Sequence, residues 1–128
     1  MKTKNIKQWT DINASIHDVF EALMDSKKHS KFTGSKAHIG RKVGEGFSVW
    51  GGDIQGVNLE IEPDKKIVQS WRSSDWPENH FSKVTFKFKE KNGKTRILFW
   101  QSGIPEEFVS DIEQGWKEYY WEPLKSFF

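Results

Sequence analysis

The stretch EEFVSDIEQGWKEYYWEPLKSFF, residues 106–128, decides how the rest of the chain must fold. Val109, Ile112, Trp116, Tyr120, Leu124 and Phe127 fall within about 120° of one another on a wheel of about 100° per residue, which predicts a long amphipathic helix. Pro123 has no amide hydrogen and its ring crowds the carbonyl four residues earlier, so a bend is expected near Tyr119. Over residues 106–122 the polar side is acidic: Glu106, Glu107, Asp111, Glu113, Glu118 and Glu122 stand against Lys117 alone. Such a face is either solvated or recognises a partner.

A helix with an apolar stripe this heavy needs a complementary surface, and the residues before it supply one in period two. Phe47 and Val49 alternate with polar residues, as do Val57, Leu59 and Ile61 with Asn58, Glu60 and Glu62; these are expected to be strands with the apolar members facing in and the glutamates facing out. Pro63-Asp64-Lys65-Lys66 reads as a turn, Ile67 to Arg72 as a strand, and residues 73–80 as a long connection. Val84, Phe86 and Phe88 alternate with Lys83, Thr85, Lys87 and Lys89. Asn92-Gly93 is a tight-turn signal that pairs them with Thr95 to Gln101, and Gly103-Ile104-Pro105 closes the sheet.

At the other end, Ile6, Trp9 and Ile12 mark a first strand over residues 3–12. Ser15 and Asp18 have capping-box spacing ahead of Ile16, Val19, Phe20 and Leu23, so a helix from Ile16 to Met24 is predicted. Ser26 is the expected cap of a second short helix through Phe32, after which Gly34, Gly40, Gly44 and Gly46 divide the chain into turns and short strands. The order is strand, two short helices, about six further strands and a long helix. An antiparallel sheet with one apolar face packs best by curling around that helix, an α+β helix-grip arrangement of about six to seven strands. At 128 residues this is expected to be a single domain over 1–128.

Composition excludes several classes of function. There is no cysteine, hence no disulfide, thiolate catalysis or cysteine-held metal. No apolar run approaches the roughly 20 residues of a membrane span, and the first residues have charge without an apolar stretch behind them, so a cytoplasmic protein is expected. The net charge of +2 does not argue for nucleic acid, but it is unevenly placed: residues 1–42 carry nine Lys/Arg and four Asp/Glu, and residues 43–128 carry eleven and fourteen. Lys83, Lys87, Lys89 and Lys91 share one strand parity, opposite to the neighbouring phenylalanines. That pattern fits an outer face kept soluble and unpaired better than a nucleic-acid surface.

The glycines at 40, 44, 46, 51 and 52 lack the strand–loop–helix context and Gly-Lys-Ser/Thr ending of a phosphate loop. His17, His29, His38 and His80 have no ligand-like spacing, so neither a metal nor a cofactor is expected. Alternation does not fix the direction of Arg72 or Gln101, His80 sits at a strand entry, and no nucleophile, base and oxyanion stabiliser assemble from them. Binding rather than catalysis is therefore the expectation.

Gly52 and Gly56, Pro63, Lys66-Ile67-Val68, Trp71-Arg72, Trp76-Pro77, His80-Phe81, Asn92-Gly93 with Thr95, Gly103-Ile104-Pro105, and Gly115-Trp116 with Tyr119-Tyr120 occur in one order. In this the chain resembles the C-terminal domain of the activators of heat-shock protein 90 ATPase, within the START-like, birch-pollen-allergen-like superfamily. The resemblance implies the helix-grip fold and a co-chaperone role in stress response, with a heat-shock protein 90 chaperone as partner. The eukaryotic activators have a further N-terminal docking domain for which this chain is expected to have no room. His29 stands where related sequences usually carry an apolar residue.

Seven Trp, ten Phe and two Tyr concentrate the apolar mass in large rigid side chains. Phe32, Trp71, Phe81, Phe86, Trp116 and Tyr120 are either plain core or the wall of a pocket. On the second reading Phe47, Val57, Trp71, Phe86, Trp116 and Tyr120 would line a cavity between sheet and terminal helix for a small hydrophobic ligand.

Overall fold

The computed structural model describes residues 1–128. Strand β1 (Thr3–Ile12) leads into α1 (Ile16–Met24) and α2 (Ser26–Thr33). There follow β2 (His38–Ile39), β3 (Gly46–Val49), β4 (Ile54–Glu62), β5 (Lys66–Ser73), β6 (Ser82–Lys91) and β7 (Lys94–Pro105). The chain ends in one continuous helical stretch containing α3 (Val109–Trp116) and α4 (Glu122–Phe127). The strands form one antiparallel sheet in the order β1-β7-β6-β5-β4-β3-β2, so β1 closes the edge beside β7 while every other neighbour is a hairpin partner. The sheet curves around the terminal helix, as the packing argument requires.

Local chemistry explains the element ends. The Ser15 hydroxyl accepts the Asp18 amide at 3.1 Å and starts α1. The expected cap at Ser26 is corrected to Asp25. Its extended backbone ends α1 through a bond to the Glu21 carbonyl, and its carboxylate accepts the Lys28 amide at 3.0 Å. Ser26 is already helical, and its hydroxyl instead accepts the Ile39 amide at 2.8 Å, tying α2 to β2.

The bend expected near Tyr119 takes the form of a wide turn over Lys117–Trp121, in which the Glu122 amide reaches back to the Lys117 carbonyl. Pro123 is the cause, because it has no hydrogen to offer Tyr119 and its ring pushes that carbonyl aside. The wide turn brings Trp121 into the core beside Trp116 and Tyr120, a burial that a regular wheel does not give. The Trp121 indole donates to Gln8 Oε1 at 2.6 Å, and Gln8 Nε2 donates to the Glu113 carbonyl at 2.9 Å, so one β1 side chain holds the helix at two points.

Strand β4 reverses an expectation. Ile54, Gly56 and Asn58 face inward, while Val57 and Leu59 are 37% and 48% exposed. A register shift between Asn58 and Glu60 leaves Leu59 outside and returns Ile61 to the inner face opposite Ile67. Asn58 occupies the inner position because its amide is satisfied there: it donates to the Gly40 and Lys42 carbonyls at 2.7 and 3.1 Å and accepts from Gln69 at 3.0 Å. Gly56 faces in because no other residue fits. A Cβ there would collide with the Ser70 carbonyl and lie 2.7 Å from the Phe47 ring.

Candidate functional site

The aromatics of the concave face close on one another. The Phe99 and Trp116 ring centroids are 4.4 Å apart, those of Trp116 and Tyr120 4.5 Å, and Phe86 packs edge-on to Trp116 at 5.9 Å. Phe47, Trp71, Phe86, Trp116 and Tyr120 do meet around one space, together with His29 and Gln69, but that space is only about 20 Å³. Val57 is absent from it, since the outward parity of that part of β4 places the side chain on the convex face. Phe81 is likewise outside, 47% exposed.

The open cavity is displaced toward one end of the terminal helix, where it measures about 490 Å³. Trp71, Trp116 and Tyr120 are shared by both spaces. The remaining wall comes from the turn after β3, from the β5–β6 connection and from the start of the helix: Trp50, Ile54, Trp76, Phe108, Ile112 and Tyr119. Ser73, Gly115 and the three aspartates Asp53, Asp75 and Asp111 complete the lining.

Each piece has a local cause. Trp50 sits at φ 55, followed by Gly51 and Gly52 at φ 66 and 101, a left-handed run that swings the indole against Tyr119 and Tyr120 at 5.8 and 6.0 Å. Holding a bulky residue there costs on the order of 1–3 kcal/mol, a strain that must be offset by packing. Trp76 lies against Trp71 at 5.4 Å and Phe108 at 6.5 Å. The Arg72 guanidinium pins the loop behind it by donating to the Trp76 carbonyl at 2.7 Å and the Pro77 carbonyl at 3.3 Å. His80 donates from Nε2 to the Gly103 carbonyl at 2.7 Å. Ser73 donates to Asp75 at 2.7 Å and Ser74 donates to Asp53, which fixes two of the three carboxylates.

Polar groups inside the core are paired with one exception. The Trp116 indole donates to Gln101 Oε1 at 2.7 Å, Gln101 Nε2 donates to Ser82 Oγ at 2.9 Å, and that hydroxyl donates to the Trp71 carbonyl at 2.9 Å. His29 donates from Nδ1 to the Leu23 carbonyl at 3.1 Å, so its Nε2 accepts from the Tyr120 hydroxyl at 3.3 Å. Burial lowers His29 to about 4 and pushes the Tyr120 hydroxyl above its usual range, keeping both neutral. The exception is Trp76 Nε1, a donor without an acceptor on a residue 3% exposed.

The convex face adds a feature that strand parity within β6 did not reveal. Trp9 and Trp100, from β1 and β7, share the lysine side of the sheet; Trp9 is 60% exposed. The Arg96 guanidinium lies 4.2 Å over the Trp9 ring, and Lys7 and Lys87 flank Trp100 at 5.8 and 5.6 Å. Arg96 is also bidentate to Asp11 at 2.8 and 3.0 Å, which holds that carboxyl below the usual range. The domain thus has a basic, tryptophan-studded sheet face and an acidic helix face.

A curved antiparallel sheet gripping a terminal helix, with an aromatic cavity at one helix end, defines a helix-grip domain. More particularly, the chain belongs to the family described as activator of Hsp90 ATPase homolog 1-like protein, whose profile matches residues 13–128. It is 36% identical over 114 residues to the activator of 90 kDa heat shock protein ATPase homolog 1 of Homo sapiens, covering 89% of this chain and 34% of that protein. To the corresponding homolog of Dictyostelium discoideum it is 34% identical over 128 residues, covering 98% and 33%. The chain therefore spans about a third of these relatives. Among solved structures, the crystal structure of an HSP90 activator from Plasmodium falciparum superposes with a TM-score of 0.88 at 25% identity, covering 95% of this chain and 94% of that one. No helix is long and apolar enough to cross a membrane.

Trp50, Trp76, Phe108 and the three aspartates were absent from the sequence-based site. Trp76-Pro77 and Trp50 ahead of two glycines were visible signals of fixed loop aromatics, but only the fold shows that both loops reach the same helix end.

Proposed function

We propose that this domain binds a heat-shock protein 90-type chaperone in the cytoplasm and favours the ATP-competent conformation of that partner, a co-chaperone role without chemistry of its own. The family match over residues 13–128 is the observation that carries this reading. The charge separation supports it: a basic sheet face and an acidic helix face could each meet a different part of a two-lobed partner. An activator of this kind works by differential affinity, because a ligand shifts a conformational equilibrium only as far as it prefers one state. Charge on both faces would steer the encounter and make it salt-dependent. The test is the chaperone's steady-state ATP hydrolysis with and without the purified domain, over a range of salt concentrations. Stimulation that fades as salt rises is expected; unchanged turnover together with no association at low salt would reject the role.

A second reading is favoured by the cavity of about 490 Å³, which lies within the usual size of small-molecule sites. On it, the space beside α3 holds a small ligand with an apolar body. Perturbation of the Trp71, Trp76 and Trp116 indole signals by such a compound would support this reading, and their indifference at millimolar concentration would remove it.

A further inference from the structure

We infer that the cavity beside α3 selects a small organic cation, a protonated or quaternary amine on an aromatic or short apolar body. This rests on the second reading above, that the cavity takes a small molecule. Three features of the cavity converge on the choice. Its deep wall is aromatic: the buried side chains Trp71, Trp76, Trp116 and Tyr120 all line it. Ring faces attract a cation, most strongly where water is displaced. Its lining also carries Asp53, Asp75 and Asp111 and contains no Lys, Arg or His, so the carboxylates meet no positive partner inside it.

The carboxylates do not converge as a metal site, since no group of three or more acidic or imidazole side chains is arranged to hold an ion. They surround a space far larger than an ion, and an elongated amine can use one or two of them while its body lies against the rings. Ser73 and Ser74 hold Asp75 and Asp53 in place, which lowers the ordering cost of such pairing. The third feature is Trp76 Nε1, a buried donor without an acceptor in the cavity wall. Buried donors are almost always satisfied. A hydroxyl or carbonyl on the occupant would satisfy it once the ring turns its nitrogen toward the cavity. The ligand class is therefore an amphipathic amine that also carries an acceptor oxygen. An anion of the same shape would face three carboxylates and no cation.

Serotonin, hydroxytryptophol and hydroxyindole acetate share one hydroxyindole body and differ in the charge of the head group. Titration of each into the isotopically labelled domain, read on the tryptophan indole signals with Trp76 assigned through Trp76→Phe, gives the three affinities. Serotonin should bind several-fold tighter than the alcohol and at least about tenfold tighter than the acid, shifting Trp76. The triple variant Asp53→Asn, Asp75→Asn, Asp111→Asn, its fold checked by the remaining spectrum, should lose the preference for the cation and keep its affinity for the alcohol. Equal affinities, or a preference that survives in the triple variant, would overturn charge selection while leaving the cavity reading intact. If none of the three shifts the cavity tryptophans at millimolar concentration, the cavity reading and this inference fall together.

Discussion

The indole nitrogen of Trp116 donates to Oε1 of Gln101 across 2.7 Å, joining the centre of the terminal helix to strand β7 inside the core. The bond orients an indole that could otherwise slide along the concave face, and Gln101 passes the constraint on to Ser82 and the Trp71 carbonyl. Trp116→Ala should cost about 3–5 kcal/mol through lost burial and a cavity. Gln101→Leu, nearly isosteric, should cost about 1–3 kcal/mol by orphaning the indole donor. Urea denaturation measures both. A loss under about 1 kcal/mol for Trp116→Ala would mean that the helix does not grip the sheet through this residue.

Gly56→Ala should destabilise by more than about 2 kcal/mol, because a methyl group there meets the Ser70 carbonyl and the Phe47 ring rather than open space. Gly93→Ala is the control. Its Cβ would meet nothing, so any cost comes from the positive φ alone and should be near 1 kcal/mol. Comparable losses at the two sites would contradict the close approach of β3 and β5 to Gly56.

His29 gives the domain a defined acid sensitivity. Its folded value of about 4 lies below the ordinary 6.5, so between these the unfolded chain binds the extra proton. Stability contributed by the neutral imidazole is complete above about pH 6.5 and declines as pH falls toward 4, by on the order of 2–3 kcal/mol. His29→Leu should flatten the stability curve over that window relative to the parent. Parallel curves for the two proteins would show that His29 is not buried in its neutral form.

How much of this was legible depended on whether a residue's direction follows from local period. The terminal helix, α1, β6 and β7 were readable because alternation or wheel position fixes their inner faces. Strand β4 was not. Asn58 faces inward through hydrogen bonds to residues in a distant loop, which turns Val57 and Leu59 outward, and the bulge after it returns Ile61 to the inner face; neither leaves a mark in an apolar count. Trp121 was missed for a related reason: Pro123 was seen to disturb the helix, but the widened turn that brings a third aromatic inward needs the packed core to select it. The six-residue site reading brought five residues together and then found the space among them closed, because Trp116 and its neighbours fill the grip. The opening formed instead where two loop tryptophans meet the helix end.

The convex sheet face is expected to contribute to chaperone association through charge. Lys83→Glu with Lys87→Glu, both exposed, should leave stability within about 0.5 kcal/mol while weakening association several-fold at low salt and reducing its salt dependence. Sedimentation or titration calorimetry at two ionic strengths reads this. Unchanged affinity at low salt would move the contact to the acidic helix face.

Differential affinity is the centre of the account, and it can be measured directly. Titration calorimetry of the domain against the chaperone from its own source, once nucleotide-free and once saturated with a non-hydrolysable ATP analogue, gives the two dissociation constants. Tighter binding to the analogue-bound chaperone is predicted, by at least about fivefold, or roughly 1 kcal/mol of coupling. Equal affinity for the two states would contradict the account, because a partner that binds both equally cannot shift the chaperone toward hydrolysis however strongly it binds.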